Sequence, residues 1–462
     1  MRKVTVFVVM VILFVFSYTY IARADEISEL KSQMKTMQKL LQEQSSQMKA
    51  MQERIEKLET EKATRIKTPK EMEERVAVLE KKAVKKGNLQ ARWKDGLRLT
   101  SEDKSFDIKI GGRVQVDAAW MKEESAVKNK VGDMKDEAEI RRARLYTSGT
   151  IYDSFIYKVQ FDFAGGDVDF KDVYMGVKDI PYLGTIRAGH FHEPYCLNEL
   201  TSNKYLTFME RALPDAFAPG RNLGIALQNH ILDDRVTWSA GVFRDADDYA
   251  RVHSNEYNFT TRFTGLPWYE DGGEKLVHMG LAYSFRNPEE NLRYHQRPEA
   301  HLAPYFVDTG SFAAKHAHLL GYETAVVYGP LSLQGEFMQS FVNQAGGGLS
   351  DTYFQGLYAQ TSYFLTGEHR NYSKSNGVFS RVRPNNNFSI KDQTFGAWEL
   401  AARYSYLDLQ DNGIYGGTMS DVTVGLNWYL NPNMRIMGNY VHSYLDDTGD
   451  ADIFLTRVQF DF

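Results

Sequence analysis

From residue 105 the chain reads SFDIKIGGRVQVDAAW, in which apolar Phe106, Ile108, Ile110, Val114, Val116, Ala118 and Trp120 alternate with polar Asp107, Lys109, Arg113, Gln115 and Asp117. A period of two puts the two sets on opposite faces of one β-strand. The run is long for a globular strand and long enough to cross a bilayer at a tilt. Phe155, Tyr157, Val159, Phe161 and Phe163 repeat the pattern against Lys158, Gln160 and Asp162. So do Trp398, Leu400, Ala402, Tyr404 and Tyr406 against Glu399, Arg403 and Ser405. The last segment, IFLTRVQFDF, places Phe454, Val458, Phe460 and Phe462 on one face and Arg457, Gln459 and Asp461 on the other. A terminal aromatic on an alternating strand is expected of an outer-membrane barrel rather than of a soluble sandwich or propeller.

Such runs number seventeen, one too many for an even-stranded barrel. Short connections at residues 151–155, 179–184, 232–235, 329–330 and 431–433 belong on one side, the periplasmic one, where barrel turns are tight. That condition assigns residues 301–308 to a long outer loop, about 287–315, and makes residues 367–393 a periplasmic-side insertion. The expected fold is therefore all-β: a 16-stranded antiparallel transmembrane β-barrel over residues 88–462.

Before residue 88 the period is different. Ile27, Leu30, Met34, Met37, Leu41, Met48, Met51, Ile55 and Leu58 recur at spacings of three and four, with charges at most other positions. This is the signature of a left-handed coiled coil, so an α-helical coiled-coil stalk over residues 25–87 is expected to precede the barrel. A single amphipathic helix on a globular core explains the charged positions less well. A seam needs partners, and the protein should be an oligomer. Residues 1–24 combine Arg2 and Lys3, an apolar stretch and an Ala22-Arg23-Ala24 cleavage site, which reads as a signal peptide. An uncleaved anchor is the alternative.

Composition adds that Phe (27), Tyr (27) and Gly (35) far outnumber Pro (12), as long strands with tight turns require. Cys196 is the one cysteine, so no intramolecular disulfide exists. Losing Arg2, Lys3 and Arg23 takes the formal charge from −5 to −8; the stalk holds 15 basic and 12 acidic residues, which leaves the barrel region near −11. No phosphate-cradling glycine loop, hydrolase elbow or cofactor motif is present. An enzyme is disfavoured, and nothing suggests a nucleic-acid partner. His190, His192 and Glu193 have metal-like spacing but no second cluster, so no metal is expected.

The stretch EIRRARLYTSGTIY, residues 139–152, puts three arginines on a strand. Alternation sets Arg142 and Arg144 with Tyr146 and Ser148, opposite Ala143, Leu145, Thr147 and Ile151. An arginine facing lipid near the midplane costs about 2–4 kcal/mol, so both should face the lumen. This stretch resembles the phosphate-selective porin O and P family, as do GHFHEPYCLNELTSNKYLTFMERALPDAFAPGRNLGIAL, RPEAHLAPYFVDTG, FLTGEHRNY and GAWELAARYS, a likeness running from about Leu97 to Phe462.

The resemblance implies a trimeric outer-membrane barrel whose third outer loop, here residues 192–220, folds into the lumen. It also implies an arginine ladder for small anions such as phosphate or polyphosphate. Candidate residues are Arg113, Arg142, Arg144, Arg187, Arg221, Arg403 and Arg457 on or near the walls, and Lys204 and Arg211 in the loop. The lysine trap of the family has no residue-by-residue match here. With a barrel near −11, anion preference must come from locally oriented arginines in a low-dielectric constriction. The opposing reading pairs these arginines with Asp117, Asp162, Glu336 and Glu399 as a charged wall. Both stay open, as does a structural role in which the periplasmic stalk ties the outer membrane to peptidoglycan or another periplasmic partner.

Overall fold

Sixteen strands pair antiparallel in chain order and close on themselves in a computed structural model describing residues 46–57, 89–289, 291–345 and 350–462. They are β1 (Phe106–Glu123), β2 (Glu137–Ile151), β3 (Phe155–Asp162), β4 (Asp169–Ile180), β5 (Gly184–His192), β6 (Arg221–Ile231), β7 (Val236–Arg244) and β8 (Asn258–Glu270). The second half comprises β9 (Lys275–Arg286), β10 (Phe312–Tyr328), β11 (Leu331–Gln344), β12 (Thr352–Phe364), β13 (Ala397–Asp411), β14 (Ile414–Asn431), β15 (Met434–Leu445) and β16 (Gly449–Asp461). β16 closes the cylinder against β1, from Ala451↔Glu123 to Asp461↔Arg113. Closure leaves no edge strand facing lipid, the condition a spanning sheet must meet. Where β16 runs out, a hairpin of Leu89–Trp93 and Leu97–Ser101 takes over the edge of β1, pairing Leu97 with Ile110.

The two faces follow the sequence pattern. Val114, Val116, Phe454, Val458 and Phe460 are exposed on the outer face, while Arg113, Gln115, Asp117, Arg457 and Gln459 are buried inside. Turns at one end carry left-handed residues, among them Asp153, Tyr182 and Asp233. The long segments 193–220 and 287–311 lie at the other end. The insertion between β12 and β13 is on the turn side, as expected.

Three segments fill part of the lumen, where one was expected. Loop 193–220 contributes Met209, Leu213 and Phe217 to a buried apolar cluster; loop 287–311 contributes Tyr294, Phe306 and Val307. Both pack on Phe354, Leu407, Met437 and Val441 of the β12–β15 wall. The turn-side insertion reaches across to β8, where Arg262 donates to the Gly377 carbonyl at 2.8 Å. Gly377 has φ +63°, and a Cβ there would stand 2.9 Å from the Thr264 hydroxyl, so this close crossing requires glycine.

The chain divides into two units, Met1–Gly87 and Asn88–Phe462. In the first, residues 46–57 are helical with Met48, Met51 and Ile55 exposed. The expected signal peptide and the rest of the expected coiled coil lie outside the described residues.

Candidate functional site

Lumenal geometry begins with a defect in pairing. β1 and β2 stay in register to Gln115↔Arg142, then resume at Val116↔Ile140, so Arg141 is the extra residue of a β-bulge. The bulge resets the alternation. Ile140 keeps the outer face at 58% exposure, Arg141 and Arg142 both turn inward, and Arg144 follows them. Leu145, 50% exposed, faces outward beside them.

The candidate residues separate by what neutralises them. Arg144 donates to Asp162 at 2.6 Å, Arg221 to Asp172 at 2.8 Å and Arg403 to Glu299 at 3.0 Å. Arg457 forks onto both Asp117 oxygens at 2.7 and 2.6 Å and also reaches Glu210 at 2.7 Å. Arg211 lies 2.7 Å from Glu199, and Lys204 lies 3.4 Å from Asp461. The remaining three donate to no carboxylate among the described residues. Arg113 donates to the Asn203 amide oxygen. Arg142 donates to Gln115 at 2.9 Å and stands 3.9 Å from Glu210. Arg187 bonds Gln228 and lies over the Phe191 and Tyr174 rings, 4.9 and 5.3 Å from their centroids.

Of the four carboxylates offered as wall partners, Asp117 and Asp162 take arginines. Glu336 does not: it accepts the backbone N–H groups of Leu197 and Asn198 at 2.9 and 2.8 Å, capping the short helix Leu197–Leu200 of the loop. Glu399 accepts from Asn427 and Tyr429 instead.

Arg403 and Arg457 differ in kind from the others. Arg403 also donates to the Glu210 carbonyl at 3.1 Å, and Arg435, beside them, donates to the Leu206 carbonyl at 2.7 Å. These arginines lie beneath loop 193–220 and hold it against the β13–β16 wall. On the β1–β6 wall Arg113 and Arg141 also touch the loop, at Asn203 and Glu210, but Arg141, Arg142 and Arg187 line polar cavities that the loop leaves open. A polar cavity of about 350 Å³ at the loop end is lined by Arg141, Arg142, Arg211, Arg297 and His301 together with Glu210, Asp215 and Glu299. Nearer the turns a second, of about 400 Å³, is lined by Lys158, Arg187, His192 and Arg262 together with Asp172. Arg141, Lys158, Arg262 and Arg297 were not among the candidates.

Ionisation within the loop is set by these neighbours. Burial lowers the Lys204 pKa to about 8, with Asp461 opposing the shift and Arg113 adding to it. Burial would raise Glu210, but Arg141, Arg142 and Arg457 outweigh it and hold the carboxyl well below its usual range. Asp215 is pushed well up by burial and by Glu199.

The metal-like spacing brings nothing together. His190 bonds the Lys171 carbonyl at 2.6 Å, and Glu193 is taken by Arg286 at 2.8 and 2.9 Å. No cluster fit to hold a metal occurs among the described residues. Cys196 is buried, its sulfur accepting the Glu199 N–H at the helix start.

A closed lumen with inward arginines and an inserted loop is porin architecture, and comparison with known proteins agrees. The family described as "Phosphate-selective porin O and P" matches residues 108–462. The chain belongs to this family. It is an outer-membrane anion porin. Porin O of Pseudomonas aeruginosa is 28% identical over 415 residues, covering 80% of this chain and 92% of that protein. An uncharacterized protein of Caulobacter vibrioides is 28% identical over 448 residues, covering 90% and 84%. Among solved structures, a loop-deletion mutant of OmpT from Vibrio cholerae aligns with TM-score 0.51 at 11% identity, covering 78% of this chain and 100% of that one. The anion-selective porin of Comamonas acidovorans aligns with TM-score 0.50 at 13% identity, covering 77% and 100%. At these identities the two structures speak to the fold alone.

Proposed function

We propose that the porin conducts phosphate and short polyphosphates along the β1–β6 wall. The observation that carries this is the separation of arginines: among the described residues Arg113, Arg142 and Arg187 donate to neutral amide oxygens, with Arg142 no nearer than 3.9 Å to a carboxylate, while Arg403 and Arg457 spend their charge on holding the loop. Arg144, Arg211, Arg221 and Lys204 carry partners and shape the passage. An unpaired guanidinium attracts an anion through a planar fork of donors, and several in sequence let it move on without a single deep trap. Channel conduction, not catalysis, is the activity this wall supports. The test is chloride current through single channels with phosphate added to one side. Saturable block, with half-block shifted upward in Arg113→Gln, supports the reading; block that is absent or identical in the variant contradicts it.

Residues 1–24 are read as a removed signal peptide and 25–87 as a periplasmic coiled coil joining three copies. The exposed Met48, Met51 and Ile55 on helix 46–57 support it, since an apolar seam has no reason to face water. A second role follows, in which the stalk ties the barrel to peptidoglycan or a periplasmic partner. Deleting residues 26–86 separates the two: an envelope defect with unchanged conductance assigns the stalk to tethering.

A further inference from the structure

Residues on the outer face of a barrel meet hydrocarbon over a band about 25 Å tall, then headgroups. On β10 this face reads, from the turn end, Tyr328, Val326, Thr324, Tyr322, Leu320, His318 and His316. Tyr328 marks the inner boundary, its ring 6.1 Å from that of Trp268. His318 lies ten residues earlier in the strand. At about 3.4 Å per residue and a tilt near 40°, that is a height of roughly 26 Å. The outer face therefore turns from apolar to basic where the hydrocarbon ends.

A register break between Ala314 and His316 brings the nitrogen-bearing side chains together. It places Lys315, exposed, next to His316 on the non-lumenal side. The two imidazoles are 5.3 Å apart and flanked by Phe285, whose ring lies 5.4 Å from His318 and 5.9 Å from His316. Tyr283 adds a hydroxyl 2.8 Å from His318 Nδ1. Phe341, paired with His318 on β11, completes the rim below. Among the described residues Lys315, His316 and His318 have no ion-pair partner. Elsewhere the outward His442 is matched by Asp452 at 2.8 Å.

We propose that Lys315, His316 and His318 form a docking site for the phosphate headgroup of an outer-leaflet lipid. Charge complementarity selects the headgroup: donors with no carboxylate partner among the described residues, at headgroup height, over aromatic rings that pack on acyl chains. Free phosphate in the lumen cannot reach this face, because the barrel wall lies between.

The experiment is native mass spectrometry of the intact porin in detergent, titrated with bis-phosphorylated lipid A and with the same lipid stripped of phosphate. Wild type should bind the phosphorylated form about tenfold tighter, the scale of one charge-assisted contact. The variant K315Q/H316Q/H318Q should lose that preference while keeping its conductance and its heat-modifiable mobility on gels. Lys315→Gln alone, at an exposed position, should lose part of it and covers the case in which the triple variant folds poorly. Equal binding of the two lipids by wild type, or an unchanged preference in both variants, overturns the proposal. So does a triple variant whose oligomeric state changes while its lipid preference does not, which would make the surface a contact between copies.

Discussion

Replacing Arg142 with glutamine removes one lumenal charge and little else. Its guanidinium is bonded to a neutral partner, Gln115, and stands 3.9 Å from Glu210, which keeps a closer partner in Arg141 at 3.0 Å. No buried carboxylate is orphaned, so the fold should survive. For an ion passing about 8 Å away at an effective dielectric near 20, one charge is worth about 2 kcal/mol before screening. At 0.1 M salt the Debye length of about 10 Å reduces this to about 1 kcal/mol. An anion loses that much attraction in the variant and a cation loses the same repulsion, so the permeability ratio should fall by about 10- to 30-fold. At 1 M salt, with a Debye length near 3 Å, the fall should be less than about twofold. The assay is reversal potential across a planar bilayer under a salt gradient, run at both strengths. An unchanged ratio at 0.1 M would refute the reasoning and move the anion path away from β2.

Arg457→Met should leave Asp117 buried without its fork and free the loop beneath Glu210, costing about 3–5 kcal/mol; heat-modifiable gels should show earlier unfolding and single channels a larger, noisier conductance. Leu145→Arg puts a charge into lipid at a cost of about 2–4 kcal/mol, so the yield of membrane-inserted protein should fall, whereas equal yield would place Leu145 off the lipid face. Lys204 has a pKa lowered to about 8 and is a cation below that value, so anion preference should decline as pH rises from 7 to 9. Lys204→Arg, charged throughout, should flatten that profile; a wild-type profile already flat would exclude Lys204 from the pathway.

Much of the barrel was legible because a membrane wall has two solvents. Lipid outside and water inside force a period of two, and the faces assigned to Val114, Arg113, Phe460 and Arg457 are those observed. The lumenal position of Arg142 and Arg144 follows from the same rule. Arg141 escapes it, because a bulge breaks the period without a motif of its own. Its signal was energetic: strict alternation would have left Arg141 in lipid beside two lumenal neighbours. Pairing was not legible. Glu299 meets Arg403, and Glu210 meets Arg457, only because loops 287–311 and 193–220 fold back into the lumen. Nothing in the local pattern of either strand announces a partner arriving from a distant loop. The same holds for the turn-side insertion, legible as an insertion but not as a strap across to Arg262.

The account rests on local arginines overruling a barrel region whose formal charge is near −11. The most direct test is the zero-current potential of the wild-type channel under a tenfold potassium chloride gradient, repeated with potassium phosphate. The account predicts a potential of the sign set by anion flow in both salts, largest on the dilute side of the salt range. A potential of the opposite sign, the one that net charge alone demands, would contradict it.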